Sequence, residues 1–113
     1  MNTAACAALF RALSHPARVR IVELLVDGPV SVGELRVRTS MDSSGLAQQL
    51  TVLRRAGLVA PRRAGKDTEY ALVSPTVADL TRCARGVLTG QSVGHERLLT
   101  VLRQDVLRQE YAS

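Results

Sequence analysis

A chain of 113 residues has room for one domain and is too short for two ordinary ones. Hydrophobic residues at 46% against 22% charged exclude a disordered chain, and 3% aromatics leave Leu, Val and Ala to build the core, which favours packed helices over a sheet sandwich. The net charge is +5 with a pI of about 10.2, and the distribution of that charge says more than its total.

Thr3 to Leu13 opens the chain as a short helix, Thr3 being the expected cap. Ser14 is the expected cap of a second helix, with Pro16 in its first turn and Val19, Val22, Leu25 and Val26 at helical spacing until Asp27-Gly28-Pro29 stops it. Ser31 and Glu34 have capping-box spacing and start a third helix near Val32 that ends about Thr39 or Ser40. Asp42 caps a fourth helix that runs to about Ala56 and closes at Gly57. Leu58 to Val73 changes period: two short apolar stretches flank Arg-Arg-Ala-Gly-Lys-Asp, a β-hairpin with a basic tip. Pro75 starts a fifth helix through about Thr89, Gly90 breaks it, and Ser92 to Glu110 forms a last amphipathic helix with Leu98, Leu99, Leu102, Val106 and Leu107 on its apolar side. The whole, residues 1–113, reads as one mainly α domain with a small β-hairpin wing. Its helix-turn-helix lies at about 31–57 and its wing at about 58–73.

The fourth helix carries the functional signal. At about 100° per residue, Leu46, Leu50 and Leu53 share one face while Ser44, Gln48, Thr51 and Arg55 share the opposite one, with Gln49 at its flank. An ordinary solvent face would mix Glu with Lys. This one is uncharged and hydrogen-bonding apart from its Arg, the set that reads base edges, Gln to adenine above all. Ser43 and Ser44 add free N–H groups for phosphate at the helix start. From Arg36 to Lys66 the cations Arg36, Arg38, Arg54, Arg55, Arg62, Arg63 and Lys66 face Asp42 alone. A GC-rich genome alone would also favour Arg. Yet a basic patch around a helical reader is the footprint of double-stranded DNA, with Arg62, Arg63 and Lys66 holding the backbone or minor groove from the wing.

At these residues the chain resembles the ArsR/SmtB family of winged helix-turn-helix repressors. The matching segments are "LFRALSHPARVRIVELL", "SVGELRVRTSMDSSGLAQQLTVLRRAGLV" and "RRAGKDTEYAL", covering about Leu9 to Val73. The resemblance implies a homodimer built on the terminal helices, about 3–13 and 75–110, binding an imperfect palindromic operator and repressing transcription. The apolar stripe of the last helix agrees, since such a stripe asks for a partner. The metal sites of relatives do not carry over. The family pattern Glu-Leu-Cys-Val-Cys stands here as Glu34-Leu35-Arg36-Val37-Arg38, and the positions of the other ligand set hold Ser74, Thr76, Val87 and Gly90. Arg cannot ligate a cation as a thiolate does.

Of the two imidazoles, His15 belongs to a helix start, where a capping role is the ordinary one. His95 beside Glu96 is the remaining candidate for weak divalent-metal binding, too few ligands to define a site. Cys6 and Cys83 are too few for a disulfide framework. They read either as small buried hydrophobes or as a redox switch, Cys83 having Arg82 and Arg85 nearby. No apolar run approaches the roughly 18 residues of a membrane span, and Met1 to Leu13 lacks a signal-peptide pattern, so a cytoplasmic protein without membrane contact is expected. No nucleophile–base pair, phosphate-cradling loop or paired carboxylates suggest an enzyme. The reading is thus a homodimeric DNA-binding regulator answering to an unidentified effector or partner protein. The rival is a winged-helix interaction module whose basic face binds an acidic protein.

Overall fold

The computed structural model describes residues 2–90 and 99–104. The described elements run α1 (Thr3–Ala12), α2 (Pro16–Leu24), β1 (Val30–Ser31), α3 (Val32–Thr39), α4 (Ser43–Arg55), β2 (Val59–Ala64), β3 (Asp67–Leu72) and α5 (Pro75–Thr89). Residues 99–104 are helical, and the rest of the expected last helix, with His95 and Glu96, lies outside the described residues. The chain divides into two compact units, one ending at Ala78 and one beginning at Asp79, so the boundary falls inside α5.

The first unit is a winged helix-turn-helix. Its core gathers Ile21, Val22 and Leu25 around α2, Leu35 from α3, Leu46, Leu50 and Leu53 from α4, and Leu58 and Val59 from the base of the wing. Val77, from the first turn of α5, completes it. Leu46 and Leu53 are fully buried, and each large apolar side chain so placed contributes about 1.5–3 kcal/mol. Leu and Val fill this interior without a Trp.

Two helix caps differ from expectation and a third forms in part, each for a local reason. Asn2, not Thr3, caps α1: its Oδ1 accepts from the N–H groups of Ala4 and Ala5 at 3.0 and 3.2 Å, and Asn is the stronger cap. His15, not Ser14, caps α2, its Nδ1 accepting from the Ala17 N–H at 3.1 Å. The Ser14 hydroxyl turns back instead and donates to the Arg11 carbonyl at the end of α1. At α3 only half of the capping box forms. Ser31 Oγ accepts from the Glu34 N–H, whereas the Glu34 carboxylate takes Arg38 Nε at 2.8 Å one turn on.

The strand β1 is an element without an expected counterpart. It pairs antiparallel with β3, Val30 opposite Tyr70, giving a sheet in the order β1-β3-β2. Because Ser31 ends β1 and caps α3, this pairing ties the wing to the first helix of the helix-turn-helix. The end of α4 fixes the wing from the other side. Gly57, at φ 77, lets its N–H reach the Arg54 carbonyl while the Leu58 N–H reaches the Leu53 carbonyl, a Schellman closure with Leu58 buried beneath.

In the second unit, α5 exposes Val87 and Leu88, and Leu99, Val101 and Leu102 are exposed farther along. Among the described residues no helix is long and apolar enough to cross a membrane.

Candidate nucleic-acid interface

The α4 helix is positioned by its buried side. With Leu46, Leu50 and Leu53 in the core, the opposite face must stand in solvent, and Ser44, Gln48, Thr51 and Arg55 are all exposed there. Asp42 fixes the start. Its Oδ1 accepts from the Gly45 N–H at 2.6 Å, and a Cβ added at Gly45 would stand 2.8 Å from that oxygen. The N–H groups of Ser43 and Ser44 precede this cap bond and remain directed out of the helix end.

The four side chains of the face differ in what they have left to offer. The Thr51 hydroxyl donates to the Ala47 carbonyl at 2.8 Å, so it presents a methyl group and acceptor lone pairs. Ser44 Oγ lies 3.4 Å from the Asp42 carboxylate, a long contact that a better acceptor can replace. Gln48 and Arg55 have no hydrogen bond or ion pair among the described residues. Gln48 therefore presents a complete amide edge, and Arg55 a complete guanidinium fork.

Gln49 stands apart from this face. It is half-buried, and its Oε1 accepts from Arg18 Nη1 at 2.9 Å. Its amide oxygen is thus engaged inside the protein, a partnership that α4 alone could not announce because Arg18 is 31 residues away.

The wing also divides its cations. The expected basic tip is narrower than its sequence suggests: Arg62 and Arg63 lie on β2, and only Gly65 and Lys66 form the turn. Gly65 supplies a positive φ at the first turn position, which a two-residue hairpin of the II′ kind takes. Register puts Arg62 opposite Glu69, and their side chains form an ion pair at 3.6 Å. Arg63, opposite Thr68, alternates to the other face, the one that carries buried Val59 at its base. Arg38 is likewise paired with Glu34. The cations of the patch without a described ion pair are Arg36, Arg54, Arg55, Arg63 and Lys66.

No group of three or more His, Cys, Asp or Glu side chains comes together among the described residues. Cys6 on α1 and Cys83 on α5 are both half-buried and form no disulfide. They belong to different units.

Comparison with known proteins bears on this geometry. A helix-turn-helix domain model matches residues 13–62, from the end of α1 to the middle of β2. The uncharacterized HTH-type transcriptional regulator Rv0081 of Mycobacterium tuberculosis H37Rv is 52% identical over 83 residues, 73% of either chain. Its crystal structure superposes with a TM-score of 0.69 at 45% identity, covering 87% of this chain and 93% of that one. The transcriptional repressor BigR from Xylella fastidiosa gives a TM-score of 0.67 at 38% identity, covering 77% and 88%. A homodimeric winged helix-turn-helix DNA-binding domain from Mycobacterium bovis, described as a possible ArsR-family regulator, gives 0.71 at 28% identity, covering 76% and 80%.

Proposed function

Because this chain belongs to the ArsR/SmtB family of winged helix-turn-helix transcriptional regulators, and is a DNA-binding regulator, we propose that it represses transcription as a homodimer seated on an imperfect palindromic operator. One α4 helix from each protomer enters the major groove. Gln48 reads a base, most favourably adenine through its paired donor and acceptor, and Arg55 holds a base or adjoining phosphate. Ser43 and Ser44 receive a phosphate at the helix start, and Thr51 meets a thymine methyl or sugar. Arg63 and Lys66 hold the backbone from the wing, with Arg62 in reserve on its Glu69 partner.

The observation that supports this reading is the α4 helix itself. Its apolar stripe is consumed by the core, and its outward face carries one unengaged amide and one unengaged guanidinium and no carboxylate. The homodimer of the Mycobacterium bovis relative and the exposed Val87 and Leu88 support the assembly. The signal that releases the operator is a small molecule, a thiol-reactive species acting at Cys6 or Cys83, or a partner protein. A metal held by His95 and Glu96 would be weak.

Genomic footprinting of the purified protein, followed by a salt titration on the recovered site and on random DNA, tests the proposal. Protection of a site with two related half-sites, bound at least about a thousandfold more tightly than random DNA, is the expected outcome. Equal affinity for both DNAs at every salt concentration would contradict it.

A further inference from the structure

We propose that Arg18 is a positioning residue for the DNA-reading helix: it locks α4 to the end of α1 by holding Gln49. The inference rests on the reading of α4 as the DNA reader and assigns to Gln49 a role that its place in α4 hides.

Arg18 spreads its guanidinium over two elements. Nε donates to the Ala12 carbonyl at 2.5 Å and Nη2 to the Arg11 carbonyl at 3.3 Å. These are last-turn carbonyls of α1, which carry the negative end of its dipole. The Arg11 carbonyl also accepts from the Ser14 N–H and hydroxyl, so the Ala12 carbonyl is the firmer hold. Nη1 donates to Gln49 Oε1 at 2.9 Å. One side chain from α2 therefore bonds the end of α1 and the middle of α4 together. Its planar fork fixes directions as well as distances, which a Lys ammonium cannot do.

The position of Gln49 makes this bond matter for reading. At about 100° per residue it sits about 100° around the helix from Gln48, on the seam between the core and the exposed face. A seam contact resists rotation of α4 about its own axis, the motion that would carry Gln48 and Arg55 away from a base edge. The apolar contacts of Leu46, Leu50 and Leu53 tolerate small rotations more readily, since dispersion has no direction.

The pair makes separable predictions for its two members. Gln49→Leu keeps the bulk and removes the acceptor. Arg18→Lys keeps the charge and removes the fork. Gln49→Glu keeps an acceptor for Arg18 but would place a negative charge against DNA if residue 49 touched it.

Affinities for the footprinted operator and for random DNA, with thermal unfolding of each variant alongside, test this. Gln49→Leu and Arg18→Lys should each weaken operator binding about tenfold and leave random-DNA binding within about twofold. Gln49→Glu should stay within about threefold of the parent, because it keeps the acceptor that Arg18 holds. A variant that loses stability and both affinities together would assign Arg18 to fold maintenance and overturn the proposal. Loss in Gln49→Glu equal to that in Gln49→Leu, with Arg18→Lys unaffected, would make Gln49 a direct DNA contact and overturn it too. If the unaltered protein showed no preference for any DNA, the reading of α4 would fail first and this inference with it.

Discussion

Helices α4 and α5 have similar lengths and an apolar stripe each, yet they dispose of it differently. In α4 the stripe is spent inside its own unit: Leu46, Leu50 and Leu53 are no more than 3% exposed. In α5 the first turn buries Val77 and Ala78, but Val87 and Leu88 stand 63% and 86% exposed. The difference teaches where each helix finds its partner. An α4 closed on its core leaves a mainly polar face outward, with Ala47 its one exposed apolar side chain among the described residues, which suits a nucleic acid. An α5 with leucine and valine in solvent suits another apolar surface, which a second copy of the chain would supply in the proposed homodimer.

The sharpest way to break this comparison is through the interior of α4. Leu53→Ala should destabilise the folded protein by about 2–5 kcal/mol, as deletion of a fully buried leucine does, measured by urea unfolding. A loss below about 1 kcal/mol would mean that α4 is not held as described. Leu88→Ser on α5 should have the opposite profile. It should leave protomer unfolding nearly unchanged and weaken self-association by about 1.5–3 kcal/mol per buried leucine, read by sedimentation across a concentration series. An unchanged dimer would place the interface elsewhere.

Within the DNA-facing region the wing allows a finer contrast. Arg63→Ala should weaken binding to all sequences and reduce the salt slope by about one unit. Arg62→Ala should do less, because Arg62 is already paired, and Glu69→Gln should strengthen binding by releasing it. Equal effects of the two arginine changes would show that the Arg62–Glu69 pair dissolves on DNA. The smallest effect is expected at Ser40, which takes φ 57 as the cap of α3. Ser40→Gly should stabilise slightly in thermal unfolding, since glycine removes the roughly 1–2 kcal/mol that a left-handed φ costs an ordinary side chain while adding back freedom to the unfolded chain.

Legibility in the sequence followed the range of the forces. The helix-turn-helix and hairpin were visible because apolar periodicity and Gly or Pro punctuation act within a few residues. The opposition of Gln48 to Leu46 and Leu50 needed only helix geometry. The two-residue β1 was invisible, being too short to show alternation and existing only through its pairing with β3. Arg38 and Arg62 looked like free cations because their carboxylate partners, Glu34 and Glu69, lie just beyond the segment whose charge drew attention. Gln49 looked like a flank of the reading face because its partner Arg18 is distant in sequence. The cap of α2 was misplaced by one residue, because Ser14 is the stronger cap by residue type and the Nδ1 of His15 takes the Ala17 N–H instead.

The claim at the centre of this account is that the outward face of α4 reads bases, and Gln48 tests it most directly. Its amide has no described protein partner, so removing it leaves the fold untouched. Binding of the unaltered protein and of Gln48→Ala to the operator and to random DNA of equal length should be measured at one salt concentration. Gln48→Ala should lose about 1–3 kcal/mol on the operator with random-DNA affinity nearly unchanged, and discrimination should relax at one base pair in each half-site. Equal weakening on both DNAs would make Gln48 a backbone contact, and no change on either would remove this face of α4 from the groove.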